Sequence, residues 1–521
     1  MNSGLALHVL ESIRTAGVRT ICVCPGARNA EWVKLLAEQD LGFEVYWFFE
    51  ERSAAFFALG RMKRTLQPTA IVTTSGTAVG ELLPATMEAF YSDLPLFLLT
   101  ADRPRRFRGS GAPQAAEQVG LFGIYAPRQF DLEDPERLLS QLNPHGKPLH
   151  LNVCFEDPKG AVDRPAPGLW HSETSGDPLE RIDNFQRPLV VVGALKDAER
   201  FAVESFLHRL QAPVYLEALS GLRDSSLLDP WKITVGDQLL RRSAAAGYPP
   251  DGVIRIGGIP THRLWRDLED RESEIDVISI SSLGFSGLGR TSTLIQGDLS
   301  MLLETVAPSP IHGDGKATLL EEDRVLYQCL KRALDSEPDS EASLLRTLSE
   351  TMPCRASVYL GNSLPIREWD LASTWETRGY EFYASRGLNG IDGQISTFLG
   401  ACSPDRTNWA ILGDLTSLYD LTGPWPFGQL PKDIDATLII LNNCGGKIFD
   451  RMFESPKFQN THHLSFEPWA KLWGLGYERV DSAEQLRGAV SKNFRGLRVI
   501  EVRPNPASTH RFWTSFQEAL A

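Results

Sequence analysis

Short apolar runs recur along this chain, each closed by a cluster of glycine, proline and small polar residues. In the first third the runs are residues 20–24, 45–49, 70–73 and 96–100. They end in Pro25-Gly26-Ala27-Arg28-Asn29, in Glu50-Glu51-Arg52, in Thr74-Ser75-Gly76-Thr77-Ala78 and in Ala101-Asp102-Arg103-Pro104, with helical stretches between them. A strand, a polar turn and a helix, repeated, is the pattern of a doubly wound α/β domain.

Residues 156–186 are rich in Pro, Gly, Asp and Ser and read as an interdomain linker. Beyond it, strands are expected at 188–193, 253–257 and 275–280 and a helix at 198–210, which makes a second α/β sheet the economical reading. Residues 308–315 look like a second linker and 321–334 like a connecting helix. In the last third two apolar runs, 409–412 and Ala436–Leu441, have room for one helix between them, which is a βαβ unit. The expected architecture is three doubly wound parallel-sheet domains, at residues 1–165, 186–313 and 339–521.

The two runs of the last third end in Gly413-Asp414-Leu415-Thr416 and in Asn442-Asn443-Cys444-Gly445-Gly446-Lys447-Ile448-Phe449. Ligands of open parallel sheets collect at the carboxyl ends of the strands, so Asp414 and Asn443 stand where a charged ligand would sit. A carboxylate, an amide oxygen and a backbone carbonyl of the glycine turn form half a shell of hard oxygen donors. Mg2+ completes such a shell with water and ligand phosphates. Taken singly, Asp414 could cap a helix and the Asn-Gly string could be an ordinary turn. The pair, each member at a strand end, points to a bound metal diphosphate. No GxGxxG supports a dinucleotide, since Gly109-Ser110-Gly111 and Gly287-Leu288-Gly289 both lack the third glycine.

Composition narrows the field. The 521 residues suffice for about three domains. A net charge of −13 argues against a nucleic-acid surface, and Arg103-Pro104-Arg105-Arg106-Phe107-Arg108 reads better as an anionic substrate mouth or a solvated loop. No apolar run approaches a membrane span, and the amino terminus lacks a basic leader. Seven cysteines without a CxxC point to a reduced, cytoplasmic protein. The adjacent His462 and His463 cannot face one ligand and are given no role.

Asp414 and Asn443 at this spacing resemble the signature of thiamine-diphosphate enzymes, with Leu415 where most of that superfamily has glycine. Several strings are similar to one member family in particular. They are Phe49-Glu50-Glu51-Arg52-Ser53-Ala54-Ala55-Phe56, Thr74-Ser75-Gly76-Thr77-Ala78-Val79, Leu99-Thr100-Ala101-Asp102-Arg103-Pro104, Gly361-Asn362-Ser363-Leu364, Ser385-Arg386-Gly387, Gly390-Ile391-Asp392-Gly393 and Gly445-Gly446-Lys447-Ile448-Phe449. On these the chain resembles the thiamine-diphosphate-dependent 2-succinyl-5-enolpyruvyl-6-hydroxy-3-cyclohexene-1-carboxylate synthases of menaquinone biosynthesis.

The resemblance implies a cofactor, thiamine diphosphate, with Mg2+ or alternatively Mn2+ held by Asp414, Asn443 and Gly445. It implies cofactor contacts from Glu51, Thr77, Ile391, Gly413, Leu415, Thr416, Gly446 and Ile448, with Glu51 catalytic through the pyrimidine ring. For the substrates, 2-oxoglutarate and isochorismate, it implies Arg28, Arg103, Gln114, Arg263, Ser363, Arg367, Arg386, Ile448 and Phe449. The implied reaction decarboxylates the first and adds its succinyl unit to the second in a 1,4 sense. The implied assembly is a homodimer or homotetramer with the active site between subunits, without nucleic acid or membrane insertion. Arginines at strand-end turns fit dianionic substrates, because their planar fork matches a carboxylate. The chain departs from the family at Ala27, Pro113, His262 and Cys444, mostly on the substrate side. An acetolactate-synthase-like decarboxylase or carboligase and a catalytically silent homologue are the alternatives.

Overall fold

The computed structural model describes residues 2–26, 28–105, 108, 116–133, 142, 146–155, 180–268, 275–288, 292–304, 306–387, 389–450 and 459–520. Its strands form three six-stranded sheets in which every neighbouring pair is parallel. The first holds β1 (Thr20–Val23), β2 (Glu44–Trp47), β3 (Thr69–Thr73), β4 (Leu96–Asp102), β5 (Arg128–Leu132) and β6 (Leu149–Cys154), in the order 2-1-3-4-6-5. The second holds β7 (Pro188–Val192), β8 (Val214–Leu216), β9 (Lys232–Ile233), β10 (Gly252–Ile256), β11 (Asp276–Ser281) and β12 (Thr293–Gln296), in the order 12-11-10-7-8-9. The third holds β13 (Ser357–Leu360), β14 (Glu381–Tyr383), β15 (Asn408–Gly413), β16 (Ala436–Leu441), β17 (Gly476–Val480) and β18 (Leu497–Val502), in the order 14-13-15-16-18-17.

The first and third sheets therefore have one topology. Each reverses direction beside its first strand, between β1 and β2 on one side and β3 on the other, and likewise around β13. Such a switch point opens a crevice at the strands' carboxyl ends. The middle sheet has the strand order of dinucleotide-binding folds. Its first strand runs into Gly193-Ala194-Leu195-Lys196-Asp197, which lacks the glycines that let a backbone approach a pyrophosphate.

Two expectations need correction. The crossover from β15 to β16 is not one helix. A short helix, Asp414–Leu418, is followed by a 3-10 turn, Trp425–Gln429, because Gly423-Pro424, Pro426 and Pro431 interrupt helical hydrogen bonding. The connecting helix is longer than 321–334. It spans Lys316–Ser336 and starts directly after Gly315, whose φ of +80° suits glycine at the end of the preceding loop. Most of the first expected linker lies outside the described residues.

The first and third sheets share a core. Phe56, Phe57, Leu59, Phe398 and Leu399 are all buried in one apolar cluster. There the helix Glu51–Thr65 crosses the helix Gln394–Ala401 with backbones touching. A Cβ on Gly60 would sit 2.0 Å from the Thr397 carbonyl, and one on Gly400 would sit 2.1 Å from the Phe57 carbonyl. Alanine is the better helix former by about 1 kcal/mol, yet the clash with rigid backbone reverses that preference. Gly60→Ala is expected to lower unfolding stability by about 1–3 kcal/mol. A chemical denaturation midpoint at or above wild type would show that the helices can part freely.

Candidate active site

The carboxyl ends of β15 and β16 meet as expected. The pairing of Gly413 with Leu441 brings Asp414 and the turn after Leu441 side by side. Asp414 is almost wholly buried, and its carboxylate is held by backbone: Oδ1 accepts from Leu415 N at 2.6 Å and Oδ2 from Gly445 N at 2.8 Å. Burial raises the carboxyl above its ordinary range, and these two N–H groups oppose the rise.

Asn443 turns its amide nitrogen toward both oxygens of Glu341, at 3.0 Å each. A carboxylate only accepts, so this contact fixes which end of the amide is which. The amide oxygen points the other way, is buried, and has no hydrogen-bond partner. An orphaned buried oxygen, two residues from the Gly445 N–H that the Asp414 carboxylate accepts, is free to meet a donor or a cation. Gly445 adopts φ +140°, and a Cβ there would lie 2.5 Å from the Gln459 carbonyl, so only glycine allows this turn to fold back. Among the described residues no three His, Cys, Asp or Glu side chains gather to hold a metal. The candidate centre thus depends on amide and carbonyl oxygens beside one carboxylate, which is a hard-donor set. Thr416 is buried, Gly413, Leu415, Gly446 and Ile448 are half-buried in the same turns, and Phe449 closes the 3-10 turn that starts at Lys447.

At the end of β13, Asn362 is fully buried and ties three segments together. Its amide donates to the carbonyls of Ser385 and Gly390 at 2.7 Å each, and its oxygen accepts from Arg386 at 2.7 Å. Arg386 and the half-buried Ile391 are thereby fixed relative to Ser363, whose carbonyl accepts from Arg367. Ser363 at φ +73° and Cys444 at φ +66° are both in the left-handed region without being glycine. Backbone strain of this kind, of order 1–3 kcal/mol per residue, gathers at functional sites.

Arg386 is held below its ordinary value first by burial, with Glu217 opposing and Arg367 adding to the fall. These two arginines therefore lie close together. Behind them, at the end of β8, Glu217 accepts the N–H groups of Thr261 and His262. Burial, with the Asp370 charge beside it, pushes Glu217 up to about 7. Arg263 is elsewhere: its side chain is 81% exposed and pairs with Asp267. It is its neighbour His262 that faces this buried cluster.

In the first sheet, Asn29 is fully buried and bridges Gly26 N and the Cys24 carbonyl, which shapes the turn that carries Arg28. Burial lowers the Arg28 guanidinium, and Arg103 lowers it further, so these two also form a like-charged pair. Nearby, the hydroxyls of Thr73, Thr74 and Ser75 are buried without a partner, and Thr77 is exposed at the start of a short helix. Gln114, Ala27 and Pro113 lie outside the described residues.

Glu50 and Glu51 divide two tasks. The Glu50 carboxylate caps the helix Glu51–Thr65, accepting from Arg52 N at 3.1 Å and Ser53 N at 2.9 Å. Glu51 is left half-buried, and burial raises its carboxyl above the ordinary range, with the Glu50 and Glu81 charges adding to the rise. A carboxyl whose charged form is disfavoured is suited to sharing a proton with a ring nitrogen. Ser53 Oγ lies 2.8 Å from Thr422 Oγ1, which sets this helix start beside the segment that follows Asp414.

Two residues packed against Asn443 and Asp414 carried no usable sequence signal: Glu341, far away in the chain, and His462, whose Nε2 is 3.2 Å from Asp414 Oδ2.

Known proteins resemble this chain along nearly its whole length. Residues 5–121 match the family described as thiamine pyrophosphate enzyme, N-terminal TPP binding domain. The chain is 42% identical to the 2-succinyl-5-enolpyruvyl-6-hydroxy-3-cyclohexene-1-carboxylate synthase of Bdellovibrio bacteriovorus, over 99% of this chain and 98% of that one. It is 38% identical to the enzyme of the same description from Akkermansia muciniphila, over 95% of each chain. An X-ray structure of a Mycobacterium smegmatis protein assigned to the thiamin diphosphate-dependent enzymes superposes with a TM-score of 0.68. It covers 96% of this chain and 99% of that one at 18% identity, which speaks to the fold alone.

Proposed function

Since the chain belongs to the 2-succinyl-5-enolpyruvyl-6-hydroxy-3-cyclohexene-1-carboxylate synthases, thiamine-diphosphate-dependent transferases of menaquinone biosynthesis, we propose that it decarboxylates 2-oxoglutarate and adds the succinyl unit to isochorismate. The observation that carries the cofactor assignment is the orphaned Asn443 oxygen, two residues from the Gly445 N–H that the buried Asp414 carboxylate accepts. Asp414, Asn443 and the Gly445 carbonyl would hold Mg2+, or Mn2+ in its place, and through it the diphosphate.

When bound, thiamine diphosphate supplies the carbon nucleophile and the electron sink that a 2-oxo acid needs to lose carbon dioxide. The protein orients and shields. Glu51, with its raised carboxyl, would share a proton with the pyrimidine nitrogen, Ile391 would support the cofactor between its two rings, and Thr77, Gly413, Leu415, Thr416, Gly446 and Ile448 would line its bed. The pairs Arg28 with Arg103 and Arg367 with Arg386 each place like charges together, an arrangement that a carboxylate relieves. These pairs, with Ser363, Gln114, Arg263, Ile448 and Phe449, are the proposed contacts of the two dianions.

The domains that carry these parts are residues 1–165 for the pyrimidine, 186–313 in the centre and 339–521 for the diphosphate. The assembly is a homodimer or homotetramer with Glu51 of one subunit serving the metal turn of another. Phe49, 55% exposed, stacks edge-on against the half-exposed Trp425 beside Glu50, and such an apolar face suits a second subunit. No helix among the described residues is long and apolar enough to cross a membrane, and all seven cysteines are free, which suits a cytoplasmic enzyme.

The test is a product assay with 2-oxoglutarate, isochorismate, thiamine diphosphate and Mg2+. Formation of the cyclohexene carboxylate product is expected. Carbon dioxide release from pyruvate alone would move the chain to the acetolactate-synthase-like reading.

A further inference from the structure

His462 sits on a strap, residues 459–466, that runs along the glycine turn of the metal site. Gly446 N donates to the Gln459 carbonyl, and His462 N donates to the Cys444 carbonyl at 3.2 Å. Asn442 Nδ2 donates to the Leu464 carbonyl at 2.9 Å and to the fully buried Glu501 at 2.8 Å. Glu501 also accepts from Phe466 N at 2.8 Å, so one buried carboxylate at the end of β18 clamps the turn and the strap together.

The strap aims one side chain inward. The His462 ring is 11% exposed, with Nε2 3.2 Å from Asp414 Oδ2. Its other nitrogen, Nδ1, accepts from Leu464 N at 3.2 Å. A ring nitrogen that accepts carries no proton, so the neutral ring has its proton on Nε2, the nitrogen aimed at Asp414. His463, next in the chain, is exposed.

We propose that His462 is a positioning residue for the metal centre: its Nε2 edge, 3.2 Å from Asp414 Oδ2, keeps the carboxylate in the rotamer in which it can meet a divalent cation. Leu415 N and Gly445 N donate to that carboxylate, and the His462 ring adds a close polar contact at 3.2 Å that lies off the line of a hydrogen bond, so the carboxylate is flanked on three sides when the cation is absent. Groups behind a metal ligand orient it in this way, and their loss commonly costs about 10–100-fold in metal affinity. The inference rests on the reading of Asp414 as a metal ligand.

The test is a titration of the purified full-length chain with Mg2+ at fixed thiamine diphosphate, followed by calorimetry. His462→Phe keeps the ring and loses the donor, and is expected to weaken Mg2+-dependent cofactor binding about 10–100-fold. His462→Gln can present an N–H near the same place and is expected to restore most of the loss. His463→Ala should bind like wild type. At saturating metal and cofactor, kcat of His462→Phe should approach wild type, because the residue touches no reacting atom. Wild-type affinity in His462→Phe overturns the proposal, as does a deficit in His462→Gln equal to that of His462→Phe. Asp414→Ala separates the two readings. If it too binds Mg2+ and cofactor normally, the metal assignment fails; if it alone loses binding, only the role of His462 fails.

Discussion

Replacing Glu51 by Gln is expected to cut turnover with 2-oxoglutarate and isochorismate by about 10²–10⁴, the usual worth of a positioned acid or base. The substitution is unusually clean here. Glu50, not Glu51, caps the helix Glu51–Thr65, so the helix start survives the change. What is lost is a carboxyl that can exchange a proton, in a place where burial raises it above its ordinary range. Gln is close in volume and can still lie against the pyrimidine, so affinity for thiamine diphosphate should stay near wild type while kcat falls. Steady-state turnover measured beside cofactor binding separates these quantities. Near-normal kcat would reject Glu51 as the catalytic carboxyl.

The second large effect is expected at the other end of the same cofactor. Asp414→Ala removes the only carboxylate proposed as a metal ligand and strands the N–H groups of Leu415 and Gly445 that it accepts. The loss of Mg2+-dependent cofactor affinity should exceed the roughly 100-fold that a residue behind a ligand can cost. Wild-type protein at about 100 times its dissociation constant gains about 2.7 kcal/mol of stability from the bound ligand. A thermal melt with and without Mg2+ and thiamine diphosphate should therefore show a clear rise for wild type and none for Asp414→Ala. An equal rise in both proteins would place the diphosphate elsewhere.

The parts of the fold that were legible in the sequence are those whose local pattern and tertiary role coincide. The strand Ala436–Leu441 is apolar but for Thr437 and buried throughout, and its observed bounds are those its composition suggests. Asp414 and Asn443 were legible because short apolar runs must end somewhere, and small polar residues mark where. The strand Leu149–Cys154 was not, since His150 and Asn152 interrupt its apolar run. The structure buries both: Thr100 Oγ1 lies 2.7 Å from His150 Nε2 and donates to Asn152 at 3.0 Å. Polar residues that satisfy one another across a sheet look like a loop until the partner strand is in place. Lys232–Ile233 and Glu381–Tyr383 are too short to leave a pattern at all.

The same distinction divides the site. Glu51 and the arginines stand at turns that sequence reasoning could inspect. Glu341 bonds Asn443 across a separation of 102 positions, and Glu217 reaches His262 across 45. No local pattern encodes such pairings. His462 is instructive for another reason. Adjacent histidines cannot serve one ligand, and that argument is correct, but one of them alone can brace a ligand. The helical crossing at Gly60 and Gly400 was likewise hidden, because a glycine within a helix shows its purpose only against its neighbour.

The central claim is that the buried carboxylate of Asp414 and the raised carboxyl of Glu51 address opposite ends of one cofactor, within a subunit or between two. A crystal structure of the protein with Mg2+ and thiamine diphosphate measures this directly. The account predicts a metal ligated by Asp414, Asn443 and the Gly445 carbonyl, and a Glu51 carboxyl within about 2.8 Å of a pyrimidine nitrogen of the same molecule. A cofactor bound at that metal with its pyrimidine out of reach of every Glu51 in the assembly would contradict it.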